Sequence, residues 1–598
     1  MAADFLTPPS SSSHPFAAAR SDASAALSAD DPYDLPPSWT QRHANRLWAL
    51  GVFIATIVLT VLAFPPSRTP EFAYAFAAPA LFWAYLRPSF RLYAWTVLGA
   101  QAVAWTIILG WLHNVTIGGL LLLGPFMGVW IGVWFLAARW ALPRMLGQST
   151  PLRLLAMFGL AGLWVVGEWT RTWFLSGFPW MPLAATQWQR MVILQIAAFT
   201  GAGGVSFVLI AMNLGFAAYA HRLLREGRSG LARRSQEFFA ALFLLVICVA
   251  TQIQETFNRD RYTTPLGRIA FVQPYIPQEV KWDDSQGPAI LHILENLTLA
   301  AAAPGRDGVK PDLILWPEAT TPWAVKGDDQ MRDWIEHLVA QTHVPLVLGS
   351  IARQPSVADP ATEDWLNAVF VVDPVTGLQP HFYAKRKLVP FGEFVPFRPV
   401  LGWLEKVVPI GGDFLRGTDP APLVVTLRGR PIALGPLLCY EDIFPNLSRD
   451  SVLAGADVLV VHTNNGWFGE GGAAYQHASN AVLRAVETRR PVLRCGNGGW
   501  SGWIDEFGNI RAVLTRNPHT GVLSAASPKL APDGSVYFRG TQTVNVTADA
   551  RWIGQKTFYV FHGDWFVAVS ALLALAGLGL LRTARPATPS IESAPEAK

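Results

Sequence analysis

Cys439, Tyr440, Glu441 and Asp442 follow directly on a mostly apolar run, 431–438, so a thiol stands where a buried strand should end. Strand ends in α/β domains are where side chains leave the packed sheet and reach a ligand. A thiol placed there among ionisable groups is arranged as a nucleophile would be. Alone it is weak, because a cysteine closing an apolar run is more often a small core residue. Its company carries the case. Leu313-Ile314-Leu315-Trp316-Pro317-Glu318 ends a second apolar run in an acid. The tract 383–393 sets Lys385, Arg386, Lys387 and Glu393 around Leu388-Val389-Pro390-Phe391, and Thr463-Asn464-Asn465-Gly466 leads into a turn bearing Trp467 and Phe468. Singly these read as an exposed turn carboxylate and a solvated basic loop.

Together they supply acyl transfer through a thioester: a cysteine attacks a carbonyl, a carboxylate takes and returns protons, and a lysine holds the oxyanion. The cation should favour the thiolate, and a carboxylate in an apolar pocket should be pushed to a higher pKa. His462 and His477 share the region and read as structural. The chemistry needs no metal or other cofactor, and Cys248, Cys439 and Cys495 have no zinc-ligand spacing. A Cys439–Cys495 bridge is open in an oxidising compartment, but it would remove the nucleophile.

The elements that must position these groups are short β-rich runs at 268–273, 313–316, 345–348, 369–372, 432–438, 458–461 and 492–493. Helical patterns lie between them at 289–302, 331–341 and 474–487. Strands interleaved with helices argue for a layered α/β sheet over 255–545.

Around this domain the chain is strongly apolar. Hydrophobic residues make up 51% and charged residues only 15% of 598, against about a quarter charged in soluble proteins. The 25 tryptophans suit membrane interfaces, and a net charge of +4 is too small to argue for nucleic acid. Apolar runs at 47–64, 72–86 (short), 92–112, 118–138, 154–166, 192–219, 238–249 and 565–581 predict eight transmembrane helices. With the N-terminus in the cytoplasm, the loops falling inside carry Arg42 and Arg46, Arg87 and Arg91, then Arg139, Arg144 and Arg153. They continue with Arg222, Arg225, Arg228, Arg233 and Arg234, and end with Arg582 and Arg585. Short outer loops carry only Arg68, Arg171 and Arg190, so the bias places both termini in the cytoplasm and 255–545 outside the inner membrane. The expected organisation is a disordered tail (1–44), helices one to seven (45–254), the outer domain (255–545), a linker (546–563), helix eight (564–583) and a cytoplasmic tail (584–598).

Trp316-Pro317-Glu318, Tyr383-x-Lys385 with Leu388 to Glu393, and Cys439-Tyr440-Glu441 resemble the Glu-Lys-Cys motifs of the nitrilase (carbon–nitrogen hydrolase) superfamily. Lys281-Trp282-Asp283, Phe394-Val395-Pro396, Asn465 to Gly469, Glu168 to Arg171 and Gly177 to Trp180 resemble the apolipoprotein N-acyltransferase family specifically. The resemblance implies a multi-span α-helical membrane domain joined to an α/β nitrilase-like αββα sandwich. It implies Cys439 as nucleophile, Glu318 as general base and acid, Lys385 as oxyanion partner and Glu393 as its assistant. It makes Tyr440 and Glu441 shape the pocket, sets Trp282, Asn367 and Trp467 along the substrate groove or lid, and makes Arg171 a membrane-facing arginine for lipid phosphate. The family often has Asn-Asp-Ala-Trp where this chain has Asn464-Asn465-Gly466-Trp467, which leaves that turn's contacts open.

The implied partners are a phospholipid acyl donor such as phosphatidylethanolamine, a diacylated apolipoprotein acceptor and the membrane, with the enzyme a monomer. Phe394, Phe397, Trp403 and Leu404 could fringe the site toward lipid or be ordinary core. On residues alone, a membrane-tethered amidase with the same three groups and a non-catalytic transporter stay open. A transporter should bury charges or broken helices at mid-membrane, and only Gly201 to Gly204 and Asn213 hint at that.

Overall fold

Strands that end at the site are buried along their length: Leu313–Leu315 and Val458–Thr463 expose no residue, and Arg430–Leu438 is covered from Ile432 onward. That is why they read as continuous apolar runs rather than alternating ones. In a computed structural model, which describes residues 39–226, 234–257, 259–357, 359, 361–396, 398–402, 414–528 and 534–584, they belong to two sheets. The first runs Gly540–Asp549, Thr263–Gln273, Leu313–Leu315, Leu346–Pro355, Glu363–Asp373, Gly377–Leu378, with Tyr383–Ala384 also paired to Glu363–Asp373. The second runs Leu523–Ala526, Ile510–Arg516, Gly502–Ile504, Val492–Gly496, Val458–Thr463, Arg430–Leu438, Leu423–Leu427.

Phe271, Leu315 and Val369 of the first sheet form one core with Leu434, Val460 and Leu493 of the second. Helices Gly287–Ala302 and Asp329–Thr342 cover the first sheet's other face through Leu294, Ile335 and Leu338. Pro445–Leu453 and Ala473–Thr488 pack against the second. The result is an α/β sandwich in four layers, helix, sheet, sheet, helix. Gly540–Asp549 pairs with Thr263–Gln273 as far as Asp549, so sheet structure runs past the expected linker boundary at 546. Backbone hydrogen bonding outweighs the polar look of Thr541, Thr543, Asn545 and Thr547 there.

The chain divides into two units, Met1–Gly51 and Val52–Lys598, and the first contains the start of helix Trp39–Ala63. Among the described residues, six of the eight apolar runs, counting the one that begins at His43, are helices long and apolar enough to cross a membrane. Phe90–Ile108 has 19 residues but is less apolar. The run 72–86 differs more: a 3-10 turn, Pro70–Tyr74, and an eight-residue helix, Ala78–Tyr85, replace a single rod. Asn213 satisfies the break, its Oδ1 accepting from Ala77 N at 2.8 Å and its Nδ2 donating to Ala73 O at 2.8 Å. The run 192–219 is likewise cut at Gly201 into Met191–Leu194, Ala197–Thr200 and Ala202–His221.

Helices Thr150–Thr170 and Trp565–Thr583 touch through small residues. A Cβ on Gly162 would lie 2.3 Å from Ser570 O, and one on Gly577 would lie 2.4 Å from Leu155 O. Most of the two expected tails (1–44 and 584–598), together with Arg228, Arg233, Phe397, Trp403 and Leu404, lies outside the described residues.

Candidate active site

Tyr383–Ala384 delivers Lys385 to the same end of the sandwich as the strand running into Glu318, because Ala384 pairs with Ala368 and Lys385 N donates to Asn367 O. The ammonium is 1% exposed and bridges two carboxylates, Glu318 Oε1 at 3.1 Å and Glu393 Oε1 at 2.8 Å. Asn367 Nδ2 donates to the same two oxygens at 2.9 and 3.0 Å. Asn464 N donates to Glu318 Oε2 at 3.1 Å, and Val389 N donates to Glu393 Oε2 at 2.9 Å. Both acids are therefore held as acceptors by hydrogen bonds that stiffen them.

Cys439 follows Leu438, and the charges of Glu318, Lys385 and Lys281 all act on its thiol. Its φ is +49°, left-handed backbone that costs a non-glycine residue on the order of 1–3 kcal/mol and persists only where surroundings enforce it. Glu441 does much of the enforcing. Its carboxylate accepts from Leu438 N (2.7 Å), Tyr383 hydroxyl (2.7 Å), Arg386 N (2.6 Å) and Lys387 N (3.0 Å), tying the cysteine turn to the lysine turn.

Protonation runs opposite to the simple expectation. Burial pushes the Cys439 thiol up to about 12, Glu318 adds to this, and Lys385 only partly offsets it. Burial also pushes Glu318 upward, but Lys385, Asn367 and Lys281 outweigh it and hold the carboxyl below its usual range. Lys385 loses to burial and gains more from Glu318 and Glu393, so it stays charged. At rest the proton sits on sulfur and Glu318 is an anion ready to receive it. The expected raised carboxyl is corrected, because two ammonium groups act on one acid, while Lys385 favours the thiolate as expected but is outweighed by burial and Glu318.

The other expected residues are spread around this centre. Tyr440 hydroxyl donates to Gly177 O at 2.6 Å, and its ring lies 6.4 Å from Phe178, so the cysteine turn rests on the loop after Thr150–Thr170. Gly177 has φ +83°, and a Cβ there would lie 2.3 Å from Thr172 O. Trp282 and Trp467 are about half exposed at the rim. Arg171 is buried rather than membrane-facing, its Nη2 donating to Trp180 O at 2.8 Å. Cys495 is a free thiol whose Sγ lies 3.3 Å from Leu315 O, so no bridge consumes Cys439.

Sequence reasoning missed Lys281, buried and donating to Glu318 O at 3.4 Å, with burial drawing its pKa down to about 8. It also missed the backbone of Asn464, and Asp442 with its ion pair to Arg494. The motif Lys281-Trp282 was the available signal for the first. The others depend on contacts between strands far apart in the chain.

Residues 268–529 match the carbon-nitrogen hydrolase family, and residues 58–215 match the apolipoprotein N-acyltransferase N-terminal domain. Fold and site thus define a carbon–nitrogen hydrolase domain carried on a bundle of apolar helices that fits a membrane protein. The chain is 33% identical over 476 residues to the apolipoprotein N-acyltransferase of Geobacter metallireducens, covering 76% of this chain and 85% of that one. It is 30% identical over 515 residues to that of Shewanella oneidensis, covering 81% and 92%. The chain belongs to the apolipoprotein N-acyltransferase family. Among solved structures, an amidase from Nesterenkonia sp. aligns over 50% of this chain and 97% of its own, at 18% identity and a TM-score of 0.34.

Proposed function

We propose that this protein N-acylates the diacylglyceryl-cysteine at the N-terminus of apolipoproteins, the final step of lipoprotein maturation, drawing the acyl chain from a phospholipid through a thioester on Cys439. The reading rests on one observation: a single ammonium, Lys385, bridges Glu318 and Glu393 beside a buried thiol at a strand end.

The cycle is ping-pong. Cys439 Sγ attacks the ester carbonyl while Glu318 takes the thiol proton, and Lys385 stabilises the oxyanion. Collapse breaks the acyl C–O bond, Glu318 returns the proton to the leaving oxygen, and lysophospholipid departs. The neutral α-amine of the acceptor then attacks the thioester. Glu318 removes a proton from nitrogen and delivers it to sulfur as the C–S bond breaks. Water must stay out of the second step, since hydrolysis would discard the chain. The donor keeps its tail in lipid, because each CH₂ withdrawn costs about 0.8 kcal/mol. The contact of Tyr440 with Gly177, in a loop joined to apolar helices, supports a site at the bilayer surface. Eight membrane crossings, both termini in the cytoplasm and a periplasmic catalytic domain belong to the same proposal, as does action as a monomer. The arginine bias supports it, with Arg190 on the outer side paired to Glu71 at 2.8 Å.

The test supplies labelled phosphatidylethanolamine and a diacylated lipopeptide to purified protein and looks for labelled amide. A second measurement follows lysophospholipid release against pH in the donor half-reaction. Burial pulls His462 down to about 4 and, with Arg494, lowers His477, so the rate should be level through 6.5. It should fall only below 4.5, as Glu318 takes a proton. An inflection near 6.5 would assign the base to histidine instead.

The rim tryptophans give a third expectation. Trp282→Ala and Trp467→Ala remove half-exposed rings while leaving the Glu318–Lys385 contacts in place. Donor or acceptor half-saturation should rise by about tenfold with acyl-enzyme still forming, as for loss of uniform binding. Loss of acyl-enzyme in either variant would contradict a rim role.

A further inference from the structure

His477 stands on helix Ala473–Thr488, is 1% exposed, and has no part in the proton transfers above. Its Nε2 lies 2.9 Å from Cys439 O and 2.8 Å from Asp442 Oδ1. Both are acceptors only, so the ring proton belongs on Nε2, and it points at the Cys439 carbonyl. Asp442, itself paired with Arg494, adds charge from the side and keeps the proton there. Nδ1 must then accept, and because the atom 3.1 Å away is placed as Asn465 Oδ1, the amide's O and N are to be exchanged. With the NH₂ turned toward the ring, Asn465 Nδ2, otherwise a buried donor without a partner, gains one. Trp180 packs against the imidazole at 5.3 Å and fixes its plane from the membrane-side loop.

We infer that His477 is a positioning residue of the acylation step: its Nε2–H grips the carbonyl of the left-handed Cys439, and its Nδ1 grips the turn carrying Asn464. That turn holds Glu318 through Asn464 N, so one neutral ring ties nucleophile and base to a common support. The left-handed backbone at Cys439 is the kind of conformation that reverts without such a partner, and a shift of 1 Å at a nucleophile is costly to rate. This inference rests on Cys439 being the nucleophile.

The experiment compares His477→Gln with His477→Asn in the full-length protein, at equal folded amounts judged by thermal unfolding. Glutamine can place an N–H where Nε2 stood, whereas asparagine reaches only the Nδ1 position. Acyl-enzyme formation on phosphatidylethanolamine in detergent micelles is read by intact mass. Gln should stay within about threefold of wild type, and Asn should be about a hundredfold slower at unchanged donor half-saturation. If His477→Asn does not accumulate, His477→Leu fills similar volume without a donor and serves the same contrast. Equal losses in the Gln variant and in the Asn or Leu variant, or an Asn or Leu variant at wild-type rate, would overturn the inference while leaving Cys439 as nucleophile. A wild-type acyl group found elsewhere than on Cys439 would overturn the functional reading and this one with it.

Discussion

Cys439→Ala is expected to abolish amide formation, by at least about 10⁴-fold, with no acyl adduct by mass spectrometry and with phospholipid binding retained. In the proposed cycle the thiol accepts the chain, and among the described residues Cys248 and Cys495 are both buried, one in an apolar helix and one between the sheets. Cys439→Ser should trap little or no acyl-enzyme. Glu318 is held below the usual carboxyl range, so it is a weak base that can take a proton only as the new bond forms. That suits a polarisable sulfur better than a hydroxyl. A thioester detected on the Cys439→Ala protein would sink the proposed cycle.

Lys385→Met carries the second large effect, and it reaches stability as well as rate. The ammonium is buried between Glu318 and Glu393, and removing one partner from a buried ionic cluster costs about 3–5 kcal/mol. In the wild type the Glu318 pKa is depressed. Its contribution to stability is therefore present above its unfolded pKa, near 4.5, and is lost as pH falls through the lower folded value. Without Lys385 two carboxylates share Asn367 in a buried site, and one of them must retain a proton. The sign then inverts: the site is most stable in acid, and stability is lost as pH rises through the raised value. Unfolding midpoints measured from pH 4 to 8 should fall with rising pH for the variant relative to wild type. Parallel curves would show that Lys385 does not bear on the Glu318 carboxyl. Acylation should fall at least about 10³-fold in the same protein, since the oxyanion loses its cation.

Much of this arrangement could be read from residues in line. Continuous apolar runs leading to Glu318 and Cys439 announced buried strands, because strands covered on both faces have no polar positions to alternate. The helix Asp329–Thr342 showed as a helical pattern at 331–341, and the structure adds an Asp328 cap whose side chain accepts from Met331 N. Strands with mixed composition were not legible. Gly540–Asp549 owes its form to Thr263–Gln273, and a pairing partner so far along the chain leaves no local trace. The broken helix at Pro70–Tyr85 was hidden for a similar reason, since its apolar composition suits a rod and only Asn213 of another helix makes the break tolerable.

Sequence alone therefore determined the cast and the setting: the thiol, acid and cation by type, the strand ends that present them, and the apolar segments that fit a membrane protein. Each follows from local chemistry, in side-chain polarity and period. Tertiary structure alone decided protonation and support. That Glu318 is an anion while the thiol keeps its proton depends on Lys385 and Lys281 converging from separate turns. That Arg171 is buried and His477 grips Cys439 depends on the packing of the membrane-side loop against the sandwich. Charges interact through space at a few ångströms, and a chain written in order carries no measure of that distance.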